Sequence, residues 1–394
     1  MLQLSIIIVN YNVKYFLEHC LYSLQKAARS LKAEIIVVDN ASSDGSMEYL
    51  LNKFPEVNFI DNPVNTGFAK ANNQALKQAR GKFILFLNPD TIVPEDCLEQ
   101  SIRLMESNLQ IGACGVKMID GRGHFLPESK RSFPTLESSF YKLSGLSSLF
   151  PASKLFAGYY LGHLPENRNS EIEVLSGAYL MTRKEVLQKT GGFDERFFMY
   201  GEDIDLSIRI QQEGYKNFYL AETCIIHFKG ESTRKGNLNY VRLFYKAMSL
   251  FVEKHYKAKN VKGLSFLIET SIWFSAGLSA TKNILLYKKP STKKVFIKTL
   301  LIAAEKEKEK VASILEKQYQ DRNIHHISLI EDWKQWVLLQ KPDEIIFVQG
   351  TLSYKEIISR MQELPNGITI SIYSIWADSI VGSRFKNTPG HMLV

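Results

Sequence analysis

Cysteine is scarce in this chain, and the four present (Cys20, Cys97, Cys114 and Cys224) are scattered, with no CxxC pair. That excludes a zinc ribbon and a disulfide framework, and it suits a reducing cytosol. Long apolar runs are missing too. The most apolar stretch, 264–287, has a charge-free core only between Glu269 and Lys282, short of the ~18–20 residues a spanning helix needs. The N-terminus runs straight into SIIIVNYN without a basic lead or a small-residue cleavage site, so no cleaved signal peptide is expected. No glycine fingerprint follows SIIIV, which argues against a Rossmann dehydrogenase.

Basic charge is present in moderate excess: 49 Lys and Arg against 41 Asp and Glu give a formal charge of +8. It gathers after about residue 229, in FKGESTRKGN, EKHYKAKNVKG and YKKPSTKK. No nucleic-acid-binding signature accompanies it, so no nucleic-acid partner is expected. Attraction to the anionic inner leaflet of a membrane fits, and a solvated basic face accounts for the charge equally well.

From residue 5 to 88, short β-branched runs alternate with amphipathic stretches: strands at 5–9, 34–39, 57–61 and 83–88, helices at 14–30, 46–54 and 67–79. Such alternation predicts a parallel sheet covered on both faces, with ligands beyond the carboxyl ends of its strands. Asn10, Asp39, Asp61 and Asn88 fall at those ends and should converge on one crevice. Between about 119 and 171 the pattern loosens into an insertion or flap, and 173–183 reads as a strand re-entering the same domain. A helix is expected at 240–257. The 264–287 stretch suits an amphipathic element in the membrane interface, or equally a helix packed on the catalytic domain. After the linker at 288–292, strands and helices alternate again in a small β/α/β unit.

Several positions carry chemistry. Asp39 closes the second strand in VVDNASSDGS, where a carboxylate can accept hydrogen bonds from a base or ribose; Ser43 and Asp44 read as helix caps. NTGFAKANN places Gly67 at a turn with Lys70 and Asn72 in the first turns of a helix, whose amides attract a diphosphate. Asp90 in NPDT lies just past a buried strand, where it can hold a hard cation on phosphate or simply cap the next helix. In GGFDERFFMYGEDIDLSIRI, Glu202 and Asp203 should open a helix whose dipole favours their ionised forms. Asp203 is the expected general base. Asp205 shares the turn but not the face, and reads as structural. His227, before FKGEST, can complete a metal's coordination as neutral imidazole, with Lys229, Arg234 and Lys235 facing phosphate. His325 and His326 lack ligand spacing.

Taken in order, SIIIVNYN, VVDNASSDGS, NTGFAKANN, FLNPDT, SGAYLMTR, GGFDERFFMYGEDIDLSIR and IIHFKGEST make the first 235 or so residues resemble a family 2 glycosyltransferase of the GT-A fold, in its bacterial rhamnosyltransferase-like branch. The resemblance implies inverting transfer from a UDP- or dTDP-sugar, assisted by Mg2+ or Mn2+. It puts Asp39 on the nucleotide, Asp90 and His227 at the metal, and Asp203 as base with Glu202 beside it. Asn10, Gly67, Lys70, Asn72 and Asn88 complete the expected nucleotide-sugar contacts. The family's DxD is here Asn88-Pro89-Asp90, with the first acid missing. The last hundred residues resemble the nucleotide-fold domain attached to some bacterial sugar transferases.

The expected architecture is therefore a GT-A α/β catalytic domain at 1–238, a helical and linker segment at 239–290, and a Rossmann-like α/β domain at 291–394. The expected acceptor is a surface polysaccharide or lipid-linked glycan, at the cytoplasmic face of the membrane. Rhamnose is one candidate sugar; galactose and N-acetylglucosamine are others. A sugar-nucleotide binder without catalysis is the alternative, and it would have no use for Asp203.

Overall fold

Every residue of Leu4–Asn10 (β1) is buried, and a strand apolar throughout needs cover on both of its faces. In the computed structural model it has it. Leu4, Ile6 and Ile8 pack on Leu17, Leu21 and Leu24 of the first helix, while Ile7 and Val9 meet Ala69, Ala71 and Ala75 of the third. The structure describes residues 2–135, 149–150, 153–228, 238–256, 297–318, 322–328, 333–350, 352–383 and 391–392. The apolar stretch 264–287 and the basic loop 229–235 lie outside the described residues.

After β1 come α1 (Lys14–Ala27), β2 (Ala33–Asp39), α2 (Ser46–Leu51), β3 (Asn58–Asp61), α3 (Phe68–Leu76) and β4 (Phe83–Leu87). Then follow β5 (Thr91–Ile92), α4 (Cys97–Ser107), β6 (Ile111–Ile119), β7 (Ser170–Ile172), β8 (Tyr179–Arg183), α5 (Lys184–Thr190), α6 (Glu202–Gln212), β9 (Lys216–His227) and α7 (Leu238–His255). The sheet order is β3-β2-β1-β4-β8-β6-β9-β5, with β7 on β9. The first four strands are parallel, as the alternation predicts. Beyond them the sheet is mixed, because the chain re-enters beside β4 from the opposite direction and β8 pairs antiparallel. The predicted strand at 173–183 is accordingly only its second half. Register aligns Asn10 with Asp39 and Asp39 with Asp61, so these residues share one end of the sheet.

A second sheet, β11-β10-β12-β13-β14-β15, is built from β10 (Ile297–Ala303), α8 (Glu305–Gln318), β11 (Arg322–Ser328), α9 (Trp333–Gln340), β12 (Glu344–Gln349), α10 (Tyr354–Gln362), β13 (Thr369–Ser374), β14 (Ser379–Gly382) and β15 (His391–Met392). Its four central and leading strands are parallel, and β14 and β15 add antiparallel edges. One face covers itself with Val311 and Leu315 of α8. The other shares a continuous core with the first sheet: Val13, Phe16, Ile92, Ile119, Ile226 and Phe228 pack in one cluster with residues of β10, β12 and α10.

Polar groups are buried in that contact as well. Ser379 Oγ donates to Glu18 Oε2 at 3.1 Å, and His19 Nε2 lies 3.0 Å from Ser379 Oγ and 3.2 Å from its carbonyl oxygen. Since the hydroxyl proton goes to Glu18 and a carbonyl only accepts, Nε2 carries the imidazole proton and Nδ1 is left buried without a partner. Burial pushes the His19 pKa down to about 4. An unfolded histidine titrates near 6.5, so the unfolded chain binds a proton that the folded one refuses between about pH 6.5 and 4. Stability from this group is present above that window and is lost as pH falls through it, by up to about 3 kcal/mol. Glu18, raised by burial against the pull of Lys53, acts in the opposite sense. Denaturant midpoints measured from pH 7 to pH 4 should therefore fall less in His19→Gln than in the wild type. Parallel pH curves would show that His19 is not the acid-sensitive group.

Candidate functional site

Of the polar residues at the carboxyl ends of the strands, Asn10 and Asp39 meet. Asn10 and Asp39 are buried, and Asn10 Nδ2 donates to Asp39 Oδ2 at 2.6 Å and to Ser42 Oγ at 3.1 Å. Ser42 N donates to Asp39 Oδ1 at 2.8 Å. Each carboxylate oxygen keeps a lone pair for another donor, and Asn10 Oδ1 is buried with no partner. Asp61, at the same end, is exposed. Asn40, which no sequence pattern singles out, knots the neighbouring loop. It accepts from Thr66 N and Asn62 Nδ2 and donates to Asn65 Oδ1 and the Gly67 carbonyl.

The expectation that the first amides of α3 cradle a diphosphate changes here. Gly67 N donates to Asn65 Oδ1 at 3.0 Å, and Phe68 N donates to the Phe198 carbonyl at 2.7 Å. Both amides are already engaged within the protein. Asn72 is buried and donates to the Phe68 carbonyl at 2.9 Å, one helical turn back. Lys70 is exposed and remains available. Gly67 has another duty. Its φ is +85°, and a Cβ there would sit 2.6 Å from the Phe198 oxygen, so only glycine lets α3 dock against the FFMYG turn.

Asp90 and His227 come together across a two-residue ribbon. Thr91 pairs with His227, and Phe228 N donates to the Asp90 carbonyl at 2.9 Å. Asp90 Oδ1 then stands 3.4 Å from His227 Nε2, both side chains almost fully buried. Asn88 Nδ2 is 3.3 Å from the same nitrogen. A carboxylate and an imidazole face one space. Two protein donors are what a divalent ion needs when phosphate and water supply the rest. The residues fit such an ion. Among the described residues no group of three or more His, Cys, Asp or Glu gathers as a self-sufficient metal cage.

Tyr200 (φ 72°) and Gly201 (φ 84°) reverse the chain sharply before α6, which begins at Glu202. Asp203 is fixed from three sides. Arg131 Nη2 donates to its Oδ2 at 2.6 Å, Gly177 N to the same oxygen at 3.2 Å, and Ile204 N to Oδ1 at 2.8 Å. Arg131 also donates to the Leu175 carbonyl at 2.6 Å. Burial alone would weaken its hold on the proton, but the charge of Asp203 prevails and raises the Arg131 pKa above its usual value. Nothing in the sequence pairs residues 131 and 203; Arg131 is one of several charged residues in the irregular 119–171 stretch.

For Glu202 the expected dipole effect loses to burial. The side chain is enclosed and Oε2 has no hydrogen-bond partner. Burial, reinforced by the Asp203 charge, pushes its carboxyl up to about 8. Glu202 is thus held protonated at pH 7, next to an Asp203 carboxylate that is paired with Arg131. Asp205 is fully buried among cations: Arg209 Nε, Lys254 Nζ and His255 Nε2 reach it at 2.9, 2.7 and 2.8 Å. Lys254 also binds Asp194 at 2.7 Å. Asp205 therefore latches α7 onto α6, the structural part expected of it.

The Ser176–Ala178 turn joins Asp203 to the Asp90–His227 pair. Gly177 N binds Asp203, the Ala178 carbonyl accepts from Asn88 N at 3.1 Å, and Asn88 touches His227.

Residues 5–191 match the family model described as glycosyl transferase family 2; the match ends before α6, so Asp203 and His227 lie beyond it. Over 260 residues the chain is 24% identical to the N-acetylglucosaminyl-diphospho-decaprenol L-rhamnosyltransferase of Mycobacterium tuberculosis, covering 63% of this chain and 83% of that one. Over 238 residues it is 26% identical to the rhamnosyltransferase WbbL of Escherichia coli, covering 58% and 84%. Among solved structures, S. aureus TarS 1–349 aligns with a TM-score of 0.44 at 19% identity, over 73% of this chain and 75% of that one.

Proposed function

We propose that this chain, whose residues 5–191 match the glycosyl transferase family 2 model, is a GT-A-type glycosyltransferase that moves a sugar from a UDP- or dTDP-sugar to a glycan hydroxyl with inversion at the anomeric carbon. The observation that carries the reading is the single turn linking Asp203 to the Asp90–His227 pair. In this reading the turn holds a carboxylate base and a phosphate-neutralising pair in one connected unit. Residues 1–238 form the catalytic unit in this reading, with 239–290 connecting it to the α/β unit at 291–394.

Asp39 and Asn10 hold the nucleoside, with Lys70 and Asn88 alongside the diphosphate. Asp90 and His227 would hold Mg2+ or Mn2+, which when bound neutralises charge on the departing diphosphate. Arg131 and Gly177 fix one oxygen of Asp203, so the carboxylate keeps its orientation while it accepts the acceptor's hydroxyl proton. Glu202, neutral at pH 7, adds no second charge to repel an incoming anion. With one ionised acid in place and no second carboxylate nucleophile, a single displacement results and the anomeric configuration inverts.

A lipid-linked or polysaccharide acceptor agrees with the acceptor that the mycobacterial relative's name carries. It agrees too with Leu149, Phe150 and Leu155, which are exposed in the stretch 119–171 that also carries Arg131. No helix among the described residues is long and apolar enough to cross a membrane.

The test is donor binding and hydrolysis across UDP-, dTDP- and GDP-sugars with Mn2+, Mg2+ or EDTA. Metal-dependent preference for one UDP- or dTDP-sugar is the expected result. Absence of binding to every donor would overturn the reading.

A further inference from the structure

Asp90 and His227 rest on very little local structure. β5 is two residues long, and His227 ends β9. Just past each of them the chain leaves the catalytic sheet and enters the contact with the second one. Five residues after Asp90, Glu95 reaches the start of α10, where Oε1 accepts from Tyr354 N at 2.9 Å and Oε2 from Lys355 N at 3.0 Å. Next to it, Asp96 Oδ2 pairs with Lys355 Nζ at 2.5 Å. Ser353 and Glu356 satisfy the remaining amides of that turn through a capping box. Two of the four open donors of α10 are therefore closed by a carboxylate from the other unit, in the position where the helix dipole favours negative charge.

The residue after His227 is fastened to the same place. Phe228 is buried in the shared core with Ile92, Tyr354 and Ile357, its ring 5.1 Å from that of Phe16. A Cβ on Gly121 would come 2.8 Å from the Phe228 ring and 3.5 Å from Ser383 N, and one on Gly123 only 2.2 Å from the Met361 carbonyl. His124 Nε2 and Asn366 Oδ1 are 2.7 Å apart. The start of α10 thus meets the chain just after β5, its end meets the turn after β6, and Phe228 packs in the same core.

We propose that the C-terminal α/β unit acts as a buttress for the metal pair, and that Glu95 is the positioning residue through which it does so. The proposal rests on the reading of Asp90 and His227 as metal ligands. Glu95 touches neither ion nor substrate. By capping α10 it fixes the course of residues 91–95, and with it the 3.4 Å approach of Asp90 to His227.

The experiment titrates the full-length chain with Mn2+ in the presence of UDP, or of dTDP, counting free Mn2+ by electron paramagnetic resonance. Melting temperature and the kcat and KM of transfer are measured in parallel. Glu95→Ala should weaken Mn2+ by roughly tenfold, the low end for outer partners of metal ligands, and lower kcat more than it raises donor KM. Glu95→Gln, which keeps an acceptor for the α10 amides, should recover most of the loss. Leu315→Ala cuts a cavity on the opposite face of the same sheet; it should lower the melting temperature and leave Mn2+ affinity alone. The proposal is overturned if Glu95→Ala binds Mn2+ like the wild type, or if Leu315→Ala weakens Mn2+ just as much. A wild type that binds no Mn2+ with either nucleotide would instead overturn the metal reading itself.

Discussion

Asp203→Asn is expected to cut sugar transfer by roughly 10²–10⁴-fold, the contribution of a positioned general base, with nucleotide-sugar affinity changed by less than about twofold. The amide keeps the size of the carboxylate and can still accept from Arg131 and Gly177, so the turn between the acid and the metal pair should stand. It loses the ability to take a proton. Glu202→Gln separates the two acids. Glu202 is buried and held neutral at pH 7, so an amide there resembles the state already present, and activity should stay within about tenfold. A raised carboxyl pKa stabilises the fold below its unfolded value near 4.5 and loses that advantage as pH climbs toward 8. The same variant should therefore flatten the decline of melting temperature between about pH 5 and pH 8. Arg131→Met tests the anchor: freeing the Asp203 carboxylate should cost up to roughly 10²-fold in kcat, as misplaced reacting groups do, with donor KM little changed. If Glu202→Gln were the inactive variant and Asp203→Asn the active one, the roles would have to be exchanged.

Those assignments show where the sequence is legible and where it is not. β1, β2 and β4 could be read because each is a short apolar run between helical stripes, and β3, a half-exposed NFID segment, from its place between two such stripes. β9 reads only at its last residues, since Ala221, Glu222 and Thr223 intervene between Leu220, paired with Val116, and Cys224, paired with Lys117. That bulge breaks the period a strand is recognised by. β6 is diluted by Gly112 and Gly115. At the site, Asn10 and Asp39 meet as expected because register brings their strand ends together. Contacts set by tertiary packing leave no trace in the pattern: Arg131 finds Asp203 over 72 positions, Lys254 finds Asp205, and the Gly67 and Phe68 amides meet Asn65 and Phe198. Periodicity names the face a helix buries. It does not name the partner, which is why the core shared by the two sheets could not be foreseen from the regular pattern after residue 291.

Asp90→Ala should lower kcat/KM by about 10²–10³-fold, the loss that attends removal of a preorganised group facing the charge of the transition state. It should also weaken Mn2+ by at least about tenfold. The size depends on the groups left behind. With Asn88 in place of the first acid of a DxD motif, Asp90 is the one carboxylate facing His227 among the described residues, and its removal leaves an imidazole and an amide, neither of which offsets the ion's charge. His227→Ala, which removes a neutral donor and keeps the charge, should cost less, on the order of tenfold. The fold should tolerate both changes. Phe228 N still donates to the backbone carbonyl of residue 90, and the Thr91–His227 pairing is made by backbone groups. Asn88→Asp tests the same logic from the other side: a second carboxylate at the pair should tighten Mn2+ binding, because the missing acid is what limits the site's charge. Transfer that survives both EDTA and Asp90→Ala would mean that fixed cations, not a metal held by Asp90, carry the diphosphate. Lys70, exposed at the start of α3, would then be the first residue to replace.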